Sequence, residues 1–183
     1  MNKLFALASI LIIVLASCRP EGGMNADAGY FSITKLKNDI ALGVPQINKF
    51  KKSLTVDGKT ETIIVDSLKF DEVVFIADFE INKPAYKNSY KVEKSTNGLA
   101  ETTVYTLKEG FKFPVKRIEY SKANNGSIKV VADLIVKNLM TTNFKHFEGT
   151  YSPDGNMGYT YTITEELVGL SPSKSIYTLQ RIL

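Results

Sequence analysis

The chain has little of what usually carries chemistry. Among its 183 residues there is one cysteine, one histidine and no tryptophan. With Cys18 alone, no intramolecular disulfide can form, so packing must hold the fold even in an oxidising compartment. One His and one Cys cannot furnish the ligand sets of structural or catalytic zinc. A Ser-His-Asp triad would have to use His146, which lies between Phe144 and Phe147 on an expected strand, and no Gly-x-Ser-x-Gly elbow accompanies it. His146 reads as a sheet histidine without a catalytic role. Gly22-Gly23 does not make a phosphate-cradling loop. The formal net charge of +4 is spread over scattered lysines with no run of five or six, which describes a solvated surface and excludes a nucleic-acid stripe.

Carboxylates are more numerous but poorly placed. Asp71-Glu72 and Glu165-Glu166 are adjacent pairs, and neighbours on one helix or strand point apart, unlike the facing acids of a glycosidase. Asp154-Gly155-Asn156 lacks the twelve-residue spacing and the closing Glu of a calcium loop, so turn chemistry accounts for it. No catalytic residue, metal ligand or cofactor is expected, and an enzyme is the poorer reading.

What is present begins at residue 1. Lys3 precedes an apolar and small-residue stretch from Leu4 to Ala16, about 13 residues against the roughly 20 that span a bilayer. A charged start, a short apolar run and small residues are the layout of an export signal. The run ends in Leu15-Ala16-Ser17-Cys18, which resembles the lipobox of bacterial lipoproteins. That resemblance implies a diacylglyceryl group on the Cys18 thiol and cleavage just before it. One acyl chain anchors marginally, whereas two or three anchor stably.

Three segments follow from this: a signal peptide over 1–17, a tether over 18–29 and one globular domain over 30–183. Residues 19–29 are rich in Gly and polar residues, and a flexible stretch of this length reaches on the order of 17–20 Å. Arg19 follows the anchor cysteine where the common inner-membrane retention signal resembles an aspartate, and no dense acidic run follows it. The expected location is the outer membrane, facing the periplasm.

Within the domain, Ser32 is placed to cap a helix, with Phe31 and Leu36 at staple spacing and Ile33, Leu36 and Ile40 on one face. Gly43 and Pro45 suit its end. Phe50–Val56 and Thr60–Val65 flank Asp57-Gly58, a hairpin signal. Asp66 is placed to cap a second element, and a helix is predicted over 70–81 with Phe70, Val73, Val74, Ala77 and Ile81 on one face and Phe75 and Phe79 on the other. Frequent β-branched residues leave a buried strand as the alternative. After Pro84, segments 90–94, 102–108, 112–121, 128–136, 143–151, 158–167 and 175–183 alternate with Gly- and Asn-bearing turns, the pattern of an antiparallel meander. The expected fold class is α+β: one or two N-terminal helices with a hairpin, packed on a twisted antiparallel meander sheet, with a half-barrel as its partly closed form.

The stretch from Ala77 to Tyr90, with Asn82-Lys83-Pro84-Ala85 at its centre and Ser89-Tyr90 opening a strand, resembles a segment of small, mostly uncharacterised lipoproteins of Bacteroidota. Members often carry a tryptophan early in the second helix; here Phe70 occupies that place. The resemblance implies a lipidated envelope protein and transfers no catalytic residue. Two roles fit such a chain. One is a structural or interaction module for an envelope protein partner, for which Tyr151, Tyr159 and Tyr161 beside one turn would offer contacts, although tyrosine is also ordinary strand filling. The other is a carrier of a lipid or other hydrophobic ligand in a pocket beneath the sheet.

Overall fold

The computed structural model describes residues 28–41, 49–66 and 74–182. Helix α1 (Ile33–Ala41) forms where the apolar spacing places it, and it buries Ile33, Leu36 and Ile40 together with the preceding Phe31. Gly43 and Pro45 lie outside the described residues, as do Phe70 to Val73 and the acids Asp71 and Glu72.

Asp57 and Gly58 take φ of 47° and 84°, so both central residues of the first turn are left-handed, as a two-residue type I′ hairpin requires. Strands β1 (Lys49–Val56) and β2 (Lys59–Val65) pair from Val56↔Lys59 to Phe50↔Val65. The later strands are β3 (Tyr90–Asn97), β4 (Ala100–Leu107), β5 (Val115–Ala123), β6 (Ile128–Lys137), β7 (Thr141–Tyr151), β8 (Met157–Leu167) and β9 (Ser173–Ile182). They form the expected meander, each pairing antiparallel with the next.

The hairpin does not pack on this sheet as expected. β1 pairs antiparallel with β9 from Lys49↔Ile182 to Val56↔Ser175, giving one nine-stranded sheet of order β2-β1-β9-β8-β7-β6-β5-β4-β3. The sheet is open, with β2 and β3 at its edges. Because β9 sits between β1 and β8, the first and last strands among the described residues are neighbours.

One face of the sheet is buried. In β6 the inward residues Ile128, Val130, Ala132 and Leu134 alternate with outward Lys129, Val131, Asp133 and Ile135, the period-two signature of a half-buried strand. In β7 the inward sequence is Phe147, Gly149, Tyr151. A Cβ built on Gly149 would lie 2.7 Å from the Phe147 ring and 3.0 Å from the Tyr151 hydroxyl, so only glycine lets the two aromatics close over that strand.

The predicted second helix is corrected. Residues Val74–Phe79 form a 3-10 helix, followed by a second short one at Pro84–Tyr86. Ile76 and Phe79 are fully buried three residues apart, whereas Ala77, assigned to the apolar face, is exposed. At three residues per turn Ile76 and Phe79 stand one above the other on the buried side. Phe79 then sits 6.0 Å from Phe147 and 6.3 Å from Tyr161 between ring centroids, and this aromatic contact outweighs the regularity of an α-helix. No helix among the described residues is long and apolar enough to cross a membrane.

Candidate functional site

Helix α1 crosses the buried face and leaves an open cavity of about 620 Å³ between itself and β3–β5. The chain enters it as an anchored segment. The Tyr30 amide donates to Asn82 Oδ1 at 3.2 Å, the Asn82 amide donates to Glu80 Oε1 at 2.7 Å, and the Ile33 amide donates to Glu80 Oε2 at 2.9 Å. A carboxylate from outside the helix thus satisfies one of the free amides in its first turn, with the favourable end of the helix dipole.

The cavity walls are aromatic and charged: Tyr30, Tyr105 and Tyr120, with Lys35, Lys94 and Glu101. The Tyr30 ring lies edge-on to Tyr90 at 5.5 Å and to Tyr105 at 6.1 Å. At the other end of the helix Asp39 accepts from the Tyr120 hydroxyl and from Lys122 Nζ, both at 3.1 Å. Burial pushes the Tyr120 phenol well above its ordinary value, and the Asp39 carboxylate raises it further by charge and hydrogen bond. Burial alone raises Tyr105. Both phenols therefore stay protonated at neutral pH. They can stack and exchange hydrogen bonds with a polar ligand, but they do not serve as anionic nucleophiles.

His146 stands elsewhere, on the outer face of the sheet. The β6–β7 register sets it opposite Asp133, and its Nδ1 lies 2.7 Å from Asp133 Oδ1. On β8 its neighbour in register is Thr162. A carboxylate, an imidazole and a hydroxyl thus occupy one row of an open sheet face. Both members of the His–Asp pair are nearly half exposed.

The remaining sequence candidates separate clearly. Asp154 Oδ1 accepts from the Asn156 amide at 2.9 Å, and that bond, with a further one from Ser152, draws the carboxyl below its ordinary value; the segment is an Asx turn. Glu165 and Glu166 are adjacent on β8 and project to opposite faces. Among the described residues no three His, Cys, Asp or Glu side chains gather into a metal site. Tyr151, Tyr159 and Tyr161, read as a contact surface, are all buried and belong to the core. Leu15, Ala16, Ser17 and Cys18 lie outside the described residues.

The sequence reading missed the cleft tyrosines and the Asp39–Tyr120–Lys122 cluster, which join residues about 80 positions apart. Comparisons with protein-family models, curated proteins and solved structures find nothing that matches the chain.

Proposed function

We propose that the protein is a lipid-anchored cell-envelope lipoprotein whose domain has a non-enzymatic interaction role. The observation that carries this is the pattern Leu15-Ala16-Ser17-Cys18 at the end of a short apolar run. Cys18 carries the lipid, residues 18–29 form the tether, and the domain stands at the outer membrane facing the periplasm.

The interaction role draws support from the cleft beside α1. Tyrosines, lysines and an acid around an open cavity suit a polar or mixed partner surface, and tyrosine supplies contact area at low entropic cost. The finer architecture that accords with this is a half-barrel. Phe50 of β1 and Tyr90 of β3, from opposite sides of the sheet, share one buried cluster with α1. Carriage of a hydrophobe is the weaker reading, since charged side chains line the largest cavity among those found at the described residues.

The test is metabolic labelling with a palmitate analogue. Cys18→Ala abolishes labelling and releases the protein from the membrane fraction. Unchanged labelling in that variant overturns the proposal.

A further inference from the structure

The two ends of the sheet differ in chemistry. At one end lie the β3–β4 turn, where Leu99 is the one large exposed apolar residue, and the β5–β6 and β7–β8 turns. The latter two, Asn124-Asn125-Gly126 and Ser152-Pro153-Asp154-Gly155-Asn156, carry the polar residues expected of solvated hairpins. At the other end lie the β1–β2, β4–β5, β6–β7 and β8–β9 connections, and three of these carry large apolar side chains at their tips. Leu139 is 97% exposed and Met140 64% in the β6–β7 turn, and Val168 is 74% and Leu170 68% in the β8–β9 turn. These two turns touch, the Val168 amide donating to the Met140 carbonyl at 3.1 Å. Phe111 in the β4–β5 connection is also exposed, and that connection is joined to β6 by the Ile135 amide donating to the Pro114 carbonyl at 3.0 Å. Solvated hairpin connections favour Gly, Asn, Asp, Ser and Pro and do not call for leucine, methionine or valine. Apolar tips side by side on one rim amount to an exposed apolar patch, which marks a surface that meets something apolar.

We infer that this rim dips into the interfacial layer of the bilayer, giving the domain a second membrane contact beside its lipid anchor. The inference rests on the lipid-anchor reading for its orientation. Three features favour a bilayer over a groove on another protein. The apolar groups project from the tips of three separate connections along one rim, a shape suited to insertion among headgroups. Exposed Lys108, Lys112, Lys137 and Lys174 stand at the same end and outnumber the exposed acids Asp57, Glu109 and Glu166, so anionic headgroups meet a slight basic excess. The described chain begins at Ala28, just before Tyr30, whose ring lies 5.5 Å from Tyr90, the first residue of β3 and part of this same end. A tether of the reach estimated above, anchored at Cys18, holds this end within roughly 20 Å of the membrane.

The absence of tryptophan makes the test clean. Leu139→Trp, or Leu170→Trp as a second probe should the first fail to fold, places a lone indole on the rim, and Leu99→Trp places one on the exposed β3–β4 turn at the opposite end. The full-length lipidated variants are reconstituted in vesicles of phosphatidylethanolamine with a minority of phosphatidylglycerol. The rim indoles are expected to shift to the blue and to be quenched at least about twofold by brominated acyl chains, while Trp emission from Leu99→Trp is unchanged. Equal quenching at both ends, or none at either, overturns the inference. A blue shift that needs no vesicles and grows with protein concentration overturns it in favour of a second copy. Labelling of Cys18 is read on the same samples: a labelled protein with an unquenched rim sinks the rim and leaves the anchor. An unlabelled protein whose rim is quenched on added vesicles does the reverse.

Discussion

The Glu80 carboxylate accepts a hydrogen bond from the Ile33 amide at 2.9 Å across 47 residues of sequence, while its second oxygen takes the Asn82 amide at 2.7 Å. One side chain thereby caps α1 and fixes the turn after the 3-10 helix, so the helix that roofs the cleft is tied to the segment bearing Asn82. Glu80→Ala leaves the α1 amide without this acceptor and is expected to destabilise the fold by about 1–2 kcal/mol. Glu80→Gln keeps an acceptor oxygen but loses the charge, and should cost less. Urea unfolding of the two variants decides this, and an alanine variant no less stable than the glutamine one would refute the capping role.

Much of this fold was legible in the sequence because its information is local. Asp57-Gly58, Asn124-Asn125-Gly126 and Ser152 to Asn156 each mark a reversal within a few residues, and the strands between them alternate with period two. The joining of β1 to β9 was not legible, since it brings residue 49 beside residue 182 and no local pattern announces it. The 3-10 segment misled for a related reason. Val74–Phe79 carries apolar residues on both sides of a helical projection, with Asp78 its one polar residue, and its conformation is settled by Phe147 and Tyr161 from the far half of the chain. The His146–Asp133 pair falls between these cases. It follows from a hairpin whose turn centres on Leu139-Met140, but apolar residues there hide the turn signal that would have set the register.

The buried phenols give the stability a definite alkaline edge. Burial raises Tyr151 well above its ordinary value near 10, with a smaller contribution from Tyr159. The unfolded phenol ionises first, so the folded state binds more protons above about pH 10. The contribution of Tyr151 is therefore complete below that pH and is lost as pH rises towards the folded value, at about 1.4 kcal/mol per pH unit. Its hydroxyl meets no hydrogen-bond partner among the described residues, so Tyr151→Phe should cost less than about 1 kcal/mol at neutral pH. Urea midpoints measured from about pH 8 to pH 11 should show the variant declining less steeply than the parent above pH 10. Parallel declines would contradict the assignment.

β9, the last of the described strands, is an interior one, flanked by β1 and β8. Thr178 is paired with Ser53 on β1 and with Thr160 on β8, so a backbone fault there weakens the seam on both sides. Proline removes one ladder hydrogen bond and holds φ near −65°, away from the extended value, which is tolerated at a sheet edge but not inside. Thr178→Pro is expected to destabilise the domain by about 3 kcal/mol or more. Hydrogen exchange should show that the loss reaches beyond β9. Amides of the β1–β2 hairpin lose protection first, because β9 is its ladder to the meander, while β4–β6 retain theirs longest. Uniform loss across the sheet would mean that the nine strands open as one unit; protection lost only at residues 173–182 would mean that the hairpin is held by the core beneath it and not by its ladder.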